Sequence, residues 1–257
     1  MKEIIASVVS NKKVVPETRL IWLESDLIAA TAKPGQFVMV SCGTVLLRRP
    51  VSIHQVDGNR FSLLFRIIGA GTQWLAQRLT GSTINLLGPL GNGFTIQPSA
   101  RKILLVAGGI GIAPLLFLGD VAAKRDIEVT LLMGACSAAD CLDLTGYGIP
   151  LNINVIKATD DGSLGYKGLV TDLMVNQVNL DRFDQIFACG PLPMYKTMSR
   201  MPELKNKPVQ VSLEVRMACG LGICYACTVK TREGLKQVCR DGPVFDLSEV
   251  LWDEVAC

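Results

Sequence analysis

Residues 102–114 read KILLVAGGIGIAP, and their reading decides the architecture. An apolar strand over 102–107 runs into glycines at 108, 109 and 111, and a helix follows from Pro114 to about Lys124. An apolar run without alternation suits a parallel strand buried on both faces. Gly109 and Gly111 let the backbone close on a diphosphate, whose charge a helix N-terminus favours. The loop departs from the dinucleotide-binding fingerprint at Pro114. The next strand ends Met133-Gly134-Ala135-Cys136, with no acidic residue to hold a ribose, which argues against an ordinary Rossmann dehydrogenase. Residues 103–119 are uncharged but shorter than a membrane span of about 20 residues, and three glycines and a proline interrupt them.

Downstream, strands are expected at 128–133, 153–158 and 185–188, with a helical segment near 169–178. Strands alternating with helices imply a parallel sheet of the doubly wound type, here over residues 98–208. Ligands bind such sheets at the C-terminal strand ends. Two loops fall there. Asp160 and Asp161, in TDDGS, offer carboxylates to ribose hydroxyls or form a solvated turn. Cys189 and Gly190, in CGP, face a nicotinamide ring or bury a small apolar side chain. Residues 202–208 read as a linker.

Upstream, residues 1–97 read as short strands at 3–9, 19–24, 36–41, 50–56, 61–67 and 83–87, with one helix at 72–79. That pattern predicts a closed or nearly closed antiparallel barrel. It carries Arg49-Pro50-Val51-Ser52, in which a guanidinium fork can clamp a pyrophosphate. Leu64-Phe65-Arg66 precedes Gly69-Ala70-Gly71-Thr72, which opens the helix and offers backbone N–H groups to phosphate. A glycine-rich turn, GPLGNGF, ends the barrel at 88–94.

Beyond residue 208 the chain reads MACGLGICYACT, and Cys219, Cys224, Cys227 and Cys239 stand in the spacing C-x4-C-x2-C-x11-C. The first three intervals are those of a plant-type 2Fe-2S loop. Gly220 and Gly222 let the backbone curl around a cluster. A structural zinc site is the alternative, although only Cys224 and Cys227 form the close pair that zinc sites use twice. Residues 209–257 show little periodicity, so their fold is expected to depend on the metal.

The whole chain has 257 residues, 49% of them hydrophobic, and a formal net charge of +3 with no basic block. These numbers allow about two domains and give no sign of nucleic-acid binding. Nine cysteines and a start, MKEIIASVVSNKK, without a signal-peptide core point to a reducing cytoplasm. Cys42, Cys136, Cys141 and Cys257 have no assigned role. The single histidine, His54, leaves no room for a histidine-rich metal site and reads as a strand residue.

In this order R-x-x-S, G-x-G-x-x-P and C-G-P resemble the ferredoxin-NADP reductase superfamily over residues 1–200. LLRRPVSI, GPLGNGF, ATDDGS and the cysteine run followed by CRDGPVF are similar to the electron-transfer subunits of type B dihydroorotate dehydrogenases. The resemblance implies a multi-domain fold: an FAD-binding barrel (1–97), an NAD-binding α/β domain (98–208) and a small 2Fe-2S domain (209–257). It implies FAD contacts at Arg49, Pro50, Val51, Ser52, Leu64, Phe65, Arg66, Gly71 and Thr72, and iron ligation by the four cysteines. Val51 stands where many of the superfamily carry a stacking tyrosine. The nucleotide would meet Gly109, Gly111, Asp160, Asp161, Cys189 and Gly190, and the lack of arginine over 134–140 favours NAD over NADP.

The resemblance also implies a partner, an FMN-containing catalytic subunit that oxidises dihydroorotate, in a heterotetramer of two plus two without membrane or nucleic acid. Electrons would pass through the cluster to FAD and leave as hydride to NAD+. Two alternatives stand beside it. One is the flavin subunit of a hydrogenase, sulfide dehydrogenase or oxygenase reductase. The other is a non-catalytic, zinc-stapled binding module.

Overall fold

The computed structural model describes residues 2–144 and 153–255; Cys257 lies outside them. Strands Lys2–Val15 (β1), Thr18–Glu24 (β2), Phe37–Val40 (β3), Arg49–Asp57 (β4), Arg60–Arg66 (β5) and Thr83–Leu90 (β6) close an antiparallel barrel in the order β1-β2-β5-β4-β3-β6. Alternation along them sends Val8, Ile21, Leu23, Val38, Val51, Ile53, Leu63 and Leu86 into one core. β1 runs six residues past its expected end at Val9. Register shifts between Val8 and Ser10 and between Lys13 and Val15 break its alternation, which hides a strand from a period-two reading.

Two short helices decorate the barrel. Asp26–Thr31 (α1) was not expected; the Ser25 hydroxyl caps it by accepting from Ile28, whose side chain is fully buried. Ala70–Ala76 (α2) begins two residues before the expected start. The Thr72 hydroxyl accepts the N–H groups of Ile68 and Gly69 at its mouth. Asn11 on β1 donates to the carbonyls of Leu75, Ala76 and Arg78 at its far end.

The second half is built on Lys102–Gly108 (β7), Ile112–Ala123 (α3), Glu128–Ala135 (β8), Ile153–Thr159 (β9), Tyr166–Lys167 (β10), Val170–Gln177 (α4), Gln185–Cys189 (β11) and Leu192–Ser199 (α5). A turn of 3-10 helix, Gly109–Gly111, joins β7 to α3. The segment expected as a linker holds another such turn, Pro202–Leu204, and then rejoins the sheet as Val209–Ser212 (β12). Thr228–Thr231 (β13) and Gly234–Gln237 (β14) form a hairpin that leads into a four-residue helix, Val238–Asp241 (α6). Val244–Asp246 (β15) then pairs antiparallel with β12. The sheet order is β10-β9-β8-β7-β11-β12-β15, parallel up to that last pair.

Residues 209–255 are therefore less irregular than expected, because two of their strands complete the nucleotide sheet. One core cluster joins Phe37, Met39 and Leu90 of the barrel, Val106 and Ile186 of the sheet, and Val229, Val238 and Cys239 near the C-terminus. No helix among the described residues is long and apolar enough to cross a membrane.

Candidate functional site

A cleft of about 740 Å³ opens between the barrel and the C-terminal ends of β7, β11 and β12. The expected flavin contacts Arg49, Pro50, Val51, Ser52, Leu64, Phe65, Arg66 and Thr72 all line it. They gather there because β4 and β5 are neighbours and β5 leads straight into α2. Gly71 is buried against the stem of Arg49, and a Cβ at that glycine would come within 2.8 Å of Arg49 Cγ. The Arg49 Nε also lies by Gly71 in the first turn of α2, while Nη1 donates to the Leu47 carbonyl at 3.0 Å. Strand arginine and helix opening, 22 residues apart in sequence, thus form one polar corner.

On the nucleotide side, Ile110, Ala113 and Gly190 line the same cleft. The two loop glycines do different things. Gly109 has φ +54° and nothing within 4 Å of where a Cβ would stand, so its backbone faces open space. At Gly111 a Cβ would collide with the Cys189 carbonyl, so this glycine lets the loop pack on the end of β11. Cys189 itself is buried, and its thiol points to the Ser212 carbonyl at 3.6 Å rather than into the cleft lining. Burial pushes its pKa well up. The Tyr195 hydroxyl locks the same corner, accepting from Gly190 N–H at 2.8 Å and donating to the Ser212 carbonyl at 2.6 Å.

Asp160 and Asp161 are exposed at the end of β9 and stand outside the cleft lining. Asp161 accepts from the hydroxyl and N–H of Ser163, which hold its carboxyl below the usual carboxylate range. The Ser163 hydroxyl in turn accepts the Ala138 N–H at 2.7 Å, tying this loop to the turn after β8.

Sequence reasoning missed one wall. Glu214, Val215, Arg216 and Met217 follow β12 into the cleft, and Tyr195 and Pro243 join them. The alternation of Val209-Gln210-Val211-Ser212 was the available signal for that strand. Solvent reaches the Glu214 side chain, yet the cleft walls crowd its carboxyl and raise its pKa.

The cysteine loop sits beside this cleft. Gly220 (φ +70°), Gly222 (φ +75°) and Tyr225 (φ +59°) all take left-handed backbone, which curls the loop tightly. Backbone N–H groups point at sulfur: Leu221 to Cys219 at 3.2 Å, Gly222 to Cys239 at 3.0 Å and Cys239 to Cys227 at 3.4 Å. Burial opposes the Cys219 thiolate, but the N–H groups of Leu221, Cys224 and Ile223 outweigh it and bring the pKa down to about 6. Burial and the Cys227 thiol push Cys239 up to about 12.

No three His, Cys, Asp or Glu side chains among the described residues form a group that could hold one metal ion. The thiols fall instead into two neighbouring pairs: Cys219 with Cys224, whose side chains influence one another, and Cys227 with Cys239, where the Cys239 N–H points at the Cys227 sulfur. Two pairs of thiols, with N–H groups aimed at sulfur, fit a centre of two irons, each taking two thiolates.

Comparison with known proteins agrees with this geometry. Residues 214–251 match the family described as the iron-sulfur cluster binding domain of dihydroorotate dehydrogenase B, and residues 105–200 match the oxidoreductase NAD-binding domain. Among solved structures, that of an NADH-dependent reduced ferredoxin-NADP oxidoreductase, from work on flavin-based electron bifurcation, superposes with a TM-score of 0.86 at 28% identity. The match covers 98% of this chain and 91% of the other. A ferredoxin NADP+ reductase from Neisseria gonorrhoeae, with bound FAD and NADP, shares the fold at a TM-score of 0.62 and 18% identity, over 77% and 89% of the two chains. Barrel, parallel sheet and the cleft between them thus define an oxidoreductase of the ferredoxin-NADP reductase type.

The curated relatives narrow the class. The dihydroorotate dehydrogenase B (NAD+) electron transfer subunit of Desulforamulus reducens is 41% identical over 96% of this chain and 98% of its own. Its counterparts in Shouchella clausii and Geobacillus thermodenitrificans are 36% and 37% identical over 95% of this chain, covering 96% and 97% of their own. The chain belongs to this family of electron-transfer subunits.

Proposed function

We propose that this chain carries electrons from the FMN of a dihydroorotate dehydrogenase catalytic subunit, through a 2Fe-2S cluster and FAD, to NAD+ in pyrimidine biosynthesis. One observation carries the reading: the cysteine loop and the cleft share strand β3. Gly220 packs against Met39, where a Cβ would stand 2.6 Å from Cγ, and Phe37, two residues along the same strand, lines the cleft. Residues two apart on a strand lie on one face, so the cysteine loop and the flavin cleft meet neighbouring side chains on the same face of β3.

Arg49 and the opening of α2 hold the pyrophosphate of FAD, while Pro50, Val51, Ser52, Leu64, Phe65, Arg66, Gly71 and Thr72 shape its seat. When bound, FAD supplies the exchange between one-electron and two-electron carriers, a chemistry that belongs to the cofactor. Cys219, Cys224, Cys227 and Cys239 ligate the iron. Gly109 and Gly190 receive the dinucleotide, Gly111 and Cys189 pack behind them, and Asp160 and Asp161 meet its far ribose. The working parts are residues 1–97, 98–208 and 209–257, the last strapped to the sheet by β12 and β15.

The partner docks at the outer side of the cysteine loop, in a heterotetramer of two plus two. Cys224 is exposed there between Ile223 (70% exposed) and Tyr225 (64%). Leu46 and Leu47, also exposed, extend the apolar face, since neighbouring Arg48 reaches the Met39 carbonyl beside Gly220. The compartment is the cytoplasm, in keeping with eight unpaired cysteines among the described residues.

Mixing the chain with the FMN-containing catalytic subunit tests the reading. Dihydroorotate-dependent reduction of NAD+ is expected only when both subunits are present. Failure of that reaction, with NAD+ reduction instead supported by a hydrogenase or oxygenase partner, would overturn it.

A further inference from the structure

His54 is the chain's single histidine, and it stands where the barrel strand β4 meets helix α3. On β4 it follows Ser52, a residue of the cleft wall, by two positions and stands at the register shift between Ile53 and Gln55. It is fully buried. Its Nδ1 lies 2.9 Å from the carbonyl oxygen of Ala113, in the first turn of α3, two residues past Gly111. A carbonyl has no proton to give, so Nδ1 carries the hydrogen and donates it. Nε2 is buried and has no partner among the described residues, so there the ring finds no acceptor for a second proton.

One turn along the same helix face, Phe117 enters the barrel's own core cluster. The barrel therefore grips α3 by apolar contacts at Phe117 and Val121 and by a directional one at Ala113. The hydrogen bond is the directional contact from the barrel to the helix start, and the helix start carries the glycine loop.

We propose that His54 is a positioning residue for electron transfer to the nicotinamide nucleotide. Its Nδ1–H ties the flavin-side strand to the first turn behind the nucleotide loop and so sets the spacing of the two walls. The inference rests on the function proposed above, and it assigns to His54 a role separate from binding either group. A loss of register across the cleft slows a transfer that needs close approach, while the barrel still holds its flavin.

The first test needs no activity. The full-length chain labelled with 15N-histidine gives the nitrogen signals of one imidazole. A protonated Nδ1 and a bare Nε2, unchanged from pH 8 to pH 5, are expected. An Nε2–H tautomer, or conversion to imidazolium between pH 6 and 7, would overturn the tie.

The second test compares His54→Leu, which removes the donor, with His54→Asn, whose amide N–H stands near the position of Nδ1. Each full-length protein is loaded with FAD and iron, and its flavin reduction by NADH is followed. His54→Leu should keep its FAD and iron yet show about a tenfold loss in the rate of reduction, and His54→Asn should recover most of it. A fully loaded His54→Leu as fast as wild type would refute the role, as would a His54→Asn as slow as His54→Leu. If His54→Leu does not fold, the His54→Asn rate and the tautomer decide. If wild type itself is not reduced by NADH, the proposed function fails, and the nitrogen spectrum still decides the tie.

Discussion

Protonation at His54 has a cost that follows from its surroundings. Burial lowers its pKa from the ordinary 6.5 to about 4, against a smaller raising effect of its bond to Ala113. The folded chain thus keeps a neutral ring while the unfolded chain takes up a proton. The stability this contributes is complete above pH 6.5 and is lost as pH falls from there towards 4. Between pH 6.5 and 5, above the range where most carboxylates titrate, it amounts to about 2 kcal/mol. Urea unfolding of wild type and His54→Asn across that interval should show a pH slope in the first and a flatter line in the second. Equal slopes would mean that His54 is not buried neutral. Cys224, by contrast, is proposed to act through its sulfur. Cys224→Ser should lose the visible absorbance of the cluster while the flavin bands persist, and unchanged iron content would remove it from the ligand set.

Among elements, the loop Gly109–Gly111 makes the sharpest prediction, because its two outer glycines face different surroundings. Gly111→Ala drives a methyl into the Cys189 carbonyl, so either the loop or the end of β11 must move. Gly109→Ala meets open space and suffers only the strain of positive φ, about 1 kcal/mol. Gly111→Ala should lose at least tenfold in kcat/KM for NADH, as misplaced reactants do. Gly109→Ala should keep folded stability within about 1 kcal/mol of wild type, a smaller loss than Gly111→Ala suffers. The reverse order would show that the loop does not pack as described.

The same loop marks how far the amino-acid sequence could be read. Its glycines, the apolar strand before it and the period-two runs of the barrel are local signals, and the elements they predict are present. Residues 209–212 alternate for only four positions, and β15 has three residues, so neither carries enough period to declare itself. Their place in the sheet comes from pairing with distant chain. For the same reason Glu214 and Arg216 were not legible as cleft residues. The separate tasks of Gly109 and Gly111 also depend on what packs behind them, which spacing alone does not encode.

At the scale of the whole molecule, the three parts share cores instead of hanging on linkers. Asn92, in the turn that ends the barrel, donates its backbone N–H to the Gly242 carbonyl (2.6 Å). Its side chain donates to the carbonyls of Arg240 and Asp241, closing the end of α6 next to Cys239. The cysteine loop is therefore anchored on the barrel side, and its opposite side, with Ile223 and Tyr225, is left exposed. Ile223→Asp should weaken association with the catalytic subunit at least tenfold while iron, FAD and NADH reduction stay as in wild type. A complex of unchanged affinity would move the docking face elsewhere.

The central claim is that one chain unites flavin corner, cysteine loop and nucleotide cleft in a single redox unit. The visible spectrum of the anaerobically purified protein, recorded before and after NADH with flavin, iron and zinc assayed on the same sample, tests it most directly. The account predicts a brown-yellow protein with about one FAD and about two irons per chain, bleached by NADH. A colourless, zinc-containing protein that cannot be loaded with flavin would contradict it.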